Sequence, residues 1–254
     1  MRENKLKQML KRGEVVLGPF VSGYYPGMVE IIGIAGFDFS ILDMEHGPLD
    51  VQHVEDMCRA ADAVGLSPVV RVRENDPPQI LRALDIGSAG VQVPQIETKE
   101  DALHVVRAAK YSPLGERGLS LYTRAAVYSA EGMRITDKLN EASMVIIHVE
   151  GIKGIQNLDE ILTVPHLDVI FLGPYDLSQS LGIPGQVRDP RVIEAMEQAV
   201  EKIRNAGLAV GTFADSAEIA KTWIDVGVQY VSISVDVGIF LRACREIVRE
   251  VRGS

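Results

Sequence analysis

The chain has 254 residues, 46% of them hydrophobic and 24% charged, with a formal net charge of −9. Because Lys and Arg are scattered rather than clustered, the sequence argues against a nucleic-acid partner. It holds no run of about 18 apolar residues and no apolar signal segment, so we expect no membrane span and a cytoplasmic location. Cys58 and Cys244 stand outside any metal-binding spacing and are interpreted as buried apolar side chains.

Short runs rich in Val and Ile alternate with longer amphipathic stretches, and such runs are typical of strands buried on both faces of a parallel sheet. A leading helix, Met1–Arg12, is predicted to close the bottom of a barrel. Eight strands are predicted at Val15–Phe20, Phe39–Asp43, Pro68–Val72, Gly90–Pro94, Met144–Glu150, Asp168–Gly173, Leu208–Phe213 and Gln229–Val235. Helices are predicted between them, among others at Val51–Val64, Gln79–Asp85, Lys99–Ala109, Asp189–Asn205 and Ser216–Asp225.

Glycines stand just before several of these strands, at positions 36, 65, 87, 207 and 227, and predict left-handed helix ends. Eight strands alternating with helices favour an α/β fold, one (β/α)8 TIM barrel spanning residues 1–254, over an open sheet. The stretch Tyr111–Asn140 is long for a connection and is a candidate for a lid or for subunit contact.

The catalytic groups of such a barrel gather at the carboxyl ends of its strands. Four predicted strand ends carry ionisable residues: Asp43, Glu45 and His46; Arg71 and Arg73; His148 and Glu150; and Asp176. Glu150 and Asp176 follow successive strands, so their carboxylates are expected to approach each other. They form either an acid/base pair or a site for Mg²⁺ or Mn²⁺, which a 2-oxo acid and water would complete. His148 is either a third ligand or a hydrogen-bond partner of the substrate.

A carbon–carbon lyase that acts on a 2-oxo acid must stabilise an enolate, and it can do so with a Lys Schiff base or with a divalent metal. None of the nine lysines falls on the inner face of a predicted strand, which favours the metal. A glycine-rich phosphate loop is missing after the last two strands, so a substrate without phosphate is preferred.

Several motifs occur in order from about Gly13 to the last helix: D-M-E-H-G-P, V-V-R, Y-S-P-L-G-E-R-G and F-L-G-P-Y-D-L-S. In this the chain resembles the HpcH/HpaI aldolase family, whose fold is a pyruvate/phosphoenolpyruvate-type barrel. The resemblance implies that His46 is the catalytic base, that Asp85 raises its basicity and that Arg71 stabilises the enolate-like transition state. It implies further that Glu150 and Asp176 bind Mg²⁺, Mn²⁺ or Co²⁺. The backbone N–H groups of Tyr175 and Asp176 would hold the pyruvyl carboxylate.

Two positions depart from that family. His148 replaces a Gln, and Tyr175 replaces a small residue, and both positions border the substrate. We therefore expect both side chains to bind substrate and to alter the choice of aldehyde.

The expected reaction is reversible cleavage of a 4-hydroxy-2-oxo acid to pyruvate and an aldehyde. The alternatives are a citrate-lyase-like acyl-CoA lyase, an oxaloacetate decarboxylase or a non-catalytic binding barrel. The last helix, Ile239–Val251, has an apolar stripe that packs on its own barrel or on a neighbour's, and we expect a homo-oligomer. The resemblance implies a hexamer in which this helix is exchanged.

Overall fold

The structure of the protein is a computed structural model that describes residues 3–253. Its eight strands are β1 (Val16–Val21), β2 (Phe39–Asp43), β3 (Ser67–Arg71), β4 (Gly90–Val93), β5 (Met144–Val149), β6 (Val169–Leu172), β7 (Ala209–Ala214) and β8 (Tyr230–Val235). They pair in parallel in chain order, and β8 pairs with β1 to close a barrel. The predicted fold is confirmed, and each predicted strand overlaps the observed one with ends that agree within two residues.

The helices are α1 (Lys5–Lys11), α2 (Pro26–Ile34), α3 (Val51–Val64), α4 (Pro77–Asp85), α5 (Lys99–Ala109), α6 (Ile135–Ala142), α7 (Ile152–Gln156), α8 (Leu158–Ile161), α9 (Pro174–Ser180), α10 (Pro190–Asn205), α11 (Ala217–Val226) and α12 (Asp236–Arg252). Short 3₁₀ turns occur at Val127–Ser129 and Gly132–Arg134. Among the described helices none is long and apolar enough to cross a membrane. Met1 and Arg2 of the predicted leading helix lie outside the described residues.

The five glycines expected at helix ends all have positive φ, from 75° at Gly65 to 119° at Gly227. At Gly65 the left-handed backbone turns the N–H back to the carbonyls of Ala61 and Asp62, which ends α3. A side chain would strain this conformation. The chain thus leaves α3 in the direction of β3, as the sequence predicts.

The amino ends of the strands, here called the bottom of the barrel, are closed by α1. Its side chains Leu6 and Leu10 belong to the same buried cluster as residues inside the barrel. Asn4, which precedes α1, donates to the carbonyls of Ala89 at 2.7 Å and Ala142 at 2.6 Å. The prediction that the leading helix closes the bottom of the barrel is therefore confirmed. A site can open at the opposite end, here called the mouth.

The long stretch 111–140 follows α5 and so begins at the bottom of the barrel. Arg124 donates to the carbonyl of Ile86 at 2.9 Å, and the N–H of Ala125 donates to the carbonyl of Asp85 at 3.0 Å. These contacts hold the stretch against the end of α4. The interpretation as a lid is wrong for the mouth of its own barrel, whereas the subunit contact stays a prediction.

The last helix, α12, does not pack along its own barrel. The only residue that it buries is Asp236 at its first position. Its apolar side chains are exposed: Val237, Ile239, Phe240, Leu241, Ile247, Val248 and Val251. Cys244 on this helix is only partly buried, so the prediction that it is a core residue is wrong within one chain. Cys58 is buried as predicted, and burial raises the pKa of its thiol to about 12.

Candidate active site

Asp43 and Arg71 end β2 and β3 side by side, because the parallel register pairs these two residues. Arg71 Nε donates to Asp43 Oδ1 at 2.8 Å, and Nη2 donates to Oδ2 at 2.6 Å. Arg71 Nη1 lies 2.9 Å from Glu45 Oε2, and the guanidinium stands 4.6 Å from the ring centre of Phe20. Burial alone would lower the pKa of Arg71, but the bonds to Asp43 and the nearby carboxylates raise it above its ordinary value. The mouth therefore contains a fixed, permanent positive charge.

His46 follows in a tight turn after β2. Its backbone N–H donates to Asp43 Oδ1 at 3.4 Å, and its side chain is 70% exposed with Nε2 3.9 Å from Glu45 Oε2. Only glycine fits at position 47, since a Cβ there would lie 2.4 Å from the carbonyl oxygen of Asp43. This turn presents the imidazole to the mouth, where it can exchange protons with a bound molecule.

Glu150, just after β5, is held on both carboxylate oxygens. Oε1 accepts from the backbone N–H of Gln95 at 2.9 Å, and Oε2 lies 2.9 Å from His148 Nδ1. Gln95 adopts a left-handed φ of 58°, which is uncommon for a residue with a side chain. Gly173 packs against the same carboxylate, because a Cβ at that position would meet Glu150 Cβ at 2.7 Å. Burial raises the pKa of Glu150, but its contact with His148 and the hydrogen bond from the Gln95 N–H outweigh burial and lower the pKa.

Asp176 lies in the first turn of α9, directly after β6. The first N–H groups of a helix have no partner within the helix, so those of Tyr175 and Asp176 are available to an anion. The pKa of Asp176 is raised first by burial and then by the negative charge of Glu150, while His148, His46 and Arg71 lower it. The expected group of two carboxylates, an imidazole and a guanidinium is thus brought to one end of the barrel.

The carboxylates at the mouth suit a hard cation. Glu45 Oε2 is buried and has no hydrogen bond, since its contact with Arg71 is an ion pair without hydrogen-bond geometry. Burial raises the pKa of Glu45, Arg71 lowers it and the charge of Glu150 raises it further. No group of three or more His, Cys, Asp or Glu within residues 3–253 is arranged to hold a metal ion by itself. Glu150 and Asp176 supply carboxylate oxygens of the kind that Mg²⁺ takes, one or two from the protein, with other oxygens completing its shell.

His148, expected to contact substrate, is almost fully buried. Its side chain is 1% exposed and stacks on Phe171, with ring centroids 4.4 Å apart. Both ring nitrogens are engaged, Nδ1 by Glu150 and Nε2 by Gln92. The imidazole lies inside the barrel, behind the carboxylate of Glu150, so contact with a substrate stays a prediction. Gln92 and Gln95 were not anticipated as functional, although alternation along β4 marks residue 92 as an inner-face position.

Asp85 is not brought together with His46 in one chain. It ends α4 at the bottom of the barrel, where its carboxylate accepts from Arg117 Nη2 at 2.6 Å. A helix that returns from the mouth carries its last residue to the opposite end. The expected support of His46 by Asp85 therefore has no basis within the chain.

Tyr175 lies at the mouth, as expected, and 42% of it is exposed. Its hydroxyl donates to Asp215 Oδ2 at 2.9 Å, and its ring stands edge-on to Phe213 with centroids 6.0 Å apart. The phenol thus spans from α9 to the loop after β7. A small residue would leave this part of the opening free.

The positions of Lys110 and Lys153 do not favour a reaction through a Lys Schiff base. Lys110 is the buried lysine among residues 3–253, and burial lowers its pKa to about 8. It lies at the bottom, however, where Nζ donates to the carbonyls of Asn140 at 2.8 Å and Ser143 at 2.6 Å. Lys153 is exposed and pairs with Glu97.

Comparisons with known proteins place this site in a family. The sequence profile described as HpcH/HpaI aldolase/citrate lyase matches residues 17–243. The chain is 35% identical over 249 residues to a 4-hydroxy-2-oxo-heptane-1,7-dioate aldolase of Shigella sonnei (strain Ss046), and the match covers 96% of this chain and 94% of that protein. It is 34% identical over 233 residues to a 2-keto-3-deoxy-L-rhamnonate aldolase of Escherichia coli (strain K12), with 92% and 87% covered.

A solved structure agrees with these matches. The crystal structure of an HpcH/HpaI aldolase/citrate lyase family protein from Burkholderia cenocepacia J2315 superposes with a TM-score of 0.94 at 36% identity, covering 98% of this chain and 99% of that chain. The chain therefore belongs to the HpcH/HpaI aldolase/citrate lyase family, and it is an aldolase, a carbon–carbon lyase.

Proposed function

We propose that this aldolase reversibly cleaves a 4-hydroxy-2-oxo acid to pyruvate and an aldehyde at the mouth of the barrel. The observation that carries the proposal is that Glu150 and Asp176 follow the neighbouring strands β5 and β6, at the same end of the barrel as the guanidinium of Arg71, which Asp43 holds in place. The guanidinium can stabilise the negative charge that develops on the C2 oxygen of an enolate, and the two carboxylates can hold a cation that does the same.

His46 removes the proton of the C4 hydroxyl, and the C3–C4 bond then breaks to release the aldehyde. Its exposure and its place above Glu45 support this role. The electron pair of the broken C3–C4 bond forms a C2=C3 double bond, and the carbonyl π pair moves to the C2 oxygen, where the N–H groups of Arg71 not taken by Asp43 can donate to it. Return of the proton from His46 to C3 then gives pyruvate. The backbone N–H groups of Tyr175 and Asp176 orient the C1 carboxylate.

Glu150 and Asp176 would hold Mg²⁺, Mn²⁺ or Co²⁺, and the ion would supply Lewis-acid stabilisation of the enolate. The test is to strip the protein with EDTA and to measure pyruvate release from 4-hydroxy-2-oxo acids before and after adding each metal. We expect activity to be lost and then restored, and Glu150→Gln to prevent restoration. Full activity in the stripped protein would overturn the role of the metal.

The acyl-CoA lyase and oxaloacetate decarboxylase remain the competing reactions, because both pass through the same enolate. They are separated by supplying CoA thioesters and oxaloacetate to the metal-loaded protein. We expect kcat/KM to be highest for the hydroxy-oxo acids. A higher value for a CoA thioester would reassign the enzyme.

We also propose that the protein forms homo-oligomers through α12, and hexamers in particular. The exposed side chains of Phe240 and Ile247 support this, because an apolar helix face of this size is covered in most proteins. Phe240→Glu is expected to lower the mass measured by light scattering, whereas Arg245→Glu on the same helix serves as a control. An unchanged mass for Phe240→Glu would contradict the proposal. One domain over residues 1–254 and a cytoplasmic location also stay predictions.

A further inference from the structure

A row of buried polar side chains runs through the barrel to the back of Glu150. The hydroxyl of Tyr230 donates to Gln92 Oε1 at 3.2 Å, Gln92 Nε2 meets His148 Nε2, and His148 Nδ1 lies 2.9 Å from Glu150 Oε2. The exposed fractions of Tyr230 and Gln92 are 0%, and that of His148 is 1%. The three residues come from β8, β4 and β5 and meet only because the barrel is closed.

The hydrogen bonds in this row can be assigned so that each residue donates to the next, from Tyr230 to Glu150. A phenol that donates to the amide oxygen of Gln92 leaves the amide NH₂ facing the imidazole. His148 Nε2 must then accept, so the ring proton stands on Nδ1 and is donated to Glu150. Each polar atom along the row finds a partner of the opposite kind, which is what buried polar groups require.

We propose that Tyr230, Gln92 and His148 are positioning residues that fix the Glu150 carboxylate for a divalent cation. With Gln95 N–H on one oxygen, His148 on the other and Gly173 packed against the side chain, the carboxylate has its direction set before a cation arrives. Residues that orient a metal ligand in this way affect metal affinity by about 10- to 100-fold. The inference rests on the proposed function only in taking Glu150 as a ligand.

The test uses the full-length protein stripped of metal and titrated with Mn²⁺ by calorimetry and by electron paramagnetic resonance. Tyr230→Phe removes one hydroxyl at the far end of the row and keeps the ring stacked on Phe39. We expect its Kd for Mn²⁺ to rise about 10-fold, while kcat at saturating Mn²⁺ stays within about twofold of the wild type. His148→Gln should keep most of the affinity, because its amide can still donate to Glu150. His148→Leu should lose more Mn²⁺ affinity than His148→Gln, because leucine cannot donate to Glu150.

The matched control is Ser232→Ala, on the same strand as Tyr230. The Ser232 hydroxyl is buried without a hydrogen bond among the described residues, so its removal should leave Mn²⁺ affinity unchanged. Wild-type affinity in a folded Tyr230→Phe protein, or an equal loss in Ser232→Ala, would refute the inference. If Tyr230→Phe does not fold, Gln92→Met replaces it with the same expectation. A wild-type protein that binds no Mn²⁺ would refute the proposed function instead.

Discussion

The side chains of Arg71 and Asp43 form a buried two-point pair, with N–O distances of 2.8 and 2.6 Å, across the ends of two adjacent strands. The pair fixes the plane of the guanidinium and so the direction in which its other N–H groups point. A planar cation with fixed donors is suited to charge that develops at one atom during a reaction.

Replacing Arg71 by lysine tests this geometry. Lysine keeps the charge but cannot bridge both oxygens of Asp43, so we expect kcat to fall about 10²- to 10³-fold. The measurement is the steady-state rate of pyruvate release at saturating metal, with thermal unfolding to show that the variant is folded. Arg73→Lys, two residues further along the chain, is the control and should retain kcat. A normal kcat in Arg71→Lys would mean that charge alone suffices.

Tyr175 should restrict the aldehyde. Because its phenol reaches across to Asp215, Tyr175→Ala opens the mouth, and we expect kcat/KM for long aldehydes relative to glycolaldehyde to rise about 10-fold. Tyr175→Phe keeps the ring and loses only the hydroxyl, so it separates the effect of bulk from that of hydrogen bonding. The measurement is the relative kcat/KM for each aldehyde in the condensation with pyruvate. Equal aldehyde preferences in the wild type and both variants would show that Tyr175 does not determine which aldehyde is used.

Asp85 can serve His46 only if another copy of the chain supplies it. Mixing His46→Ala with Asp85→Asn subunits by joint refolding therefore tests the role directly. We expect both single variants to be nearly inactive, and the mixture to recover up to about a quarter of the wild-type activity when sites are built from two chains. If Asp85→Asn alone is fully active, the residue serves only as the ion-pair partner of Arg117.

Lys110 should make stability depend on pH in the alkaline range. Its pKa in the folded chain is about 8 against an ordinary 10.5, so between these values the unfolded chain binds more protons than the folded one. The free energy of unfolding contributed by this group therefore rises with pH, by about 2 kcal/mol between about pH 8 and about pH 10. Urea unfolding of the wild type and of Lys110→Met measures it. The difference between the two proteins should grow with pH, and a constant difference would contradict the prediction.

The barrel could be predicted because its signals are local. Every residue of the run Phe39–Asp43 is buried, and Gly65 ends the helix that follows. The extent of the strand and the end of the helix can therefore be predicted from residues that are close in the sequence. The convergence of Glu150 and Asp176 followed from the fold, since the ends of successive parallel strands meet at one edge.

The roles of His148 and Asp85 could not be predicted in the same way. The direction of His148 depends on Gln92 and Phe171, which lie on other strands and carry no sequence motif. Asp85 lies far from His46 within one chain, and α12 buries only Asp236 against its own barrel, so neither placement follows from the sequence of a single chain. A family motif can indicate that a residue belongs to an active site, but it does not indicate whether that site is in the same chain or in another copy.

Leu6 and Leu10 of α1, together with the stacked rings of Phe39 and Tyr230, fill the barrel on the side away from the mouth, so the mouth is the route to the proposed site. Substrate, solvent and both products must share it. In the proposed reaction the pyruvyl half of the substrate is the part that the carboxylates and Arg71 bind, farther from the opening than the aldehyde half. We therefore expect the aldehyde to leave before pyruvate, and excess pyruvate to compete with the hydroxy-oxo acid for the same site.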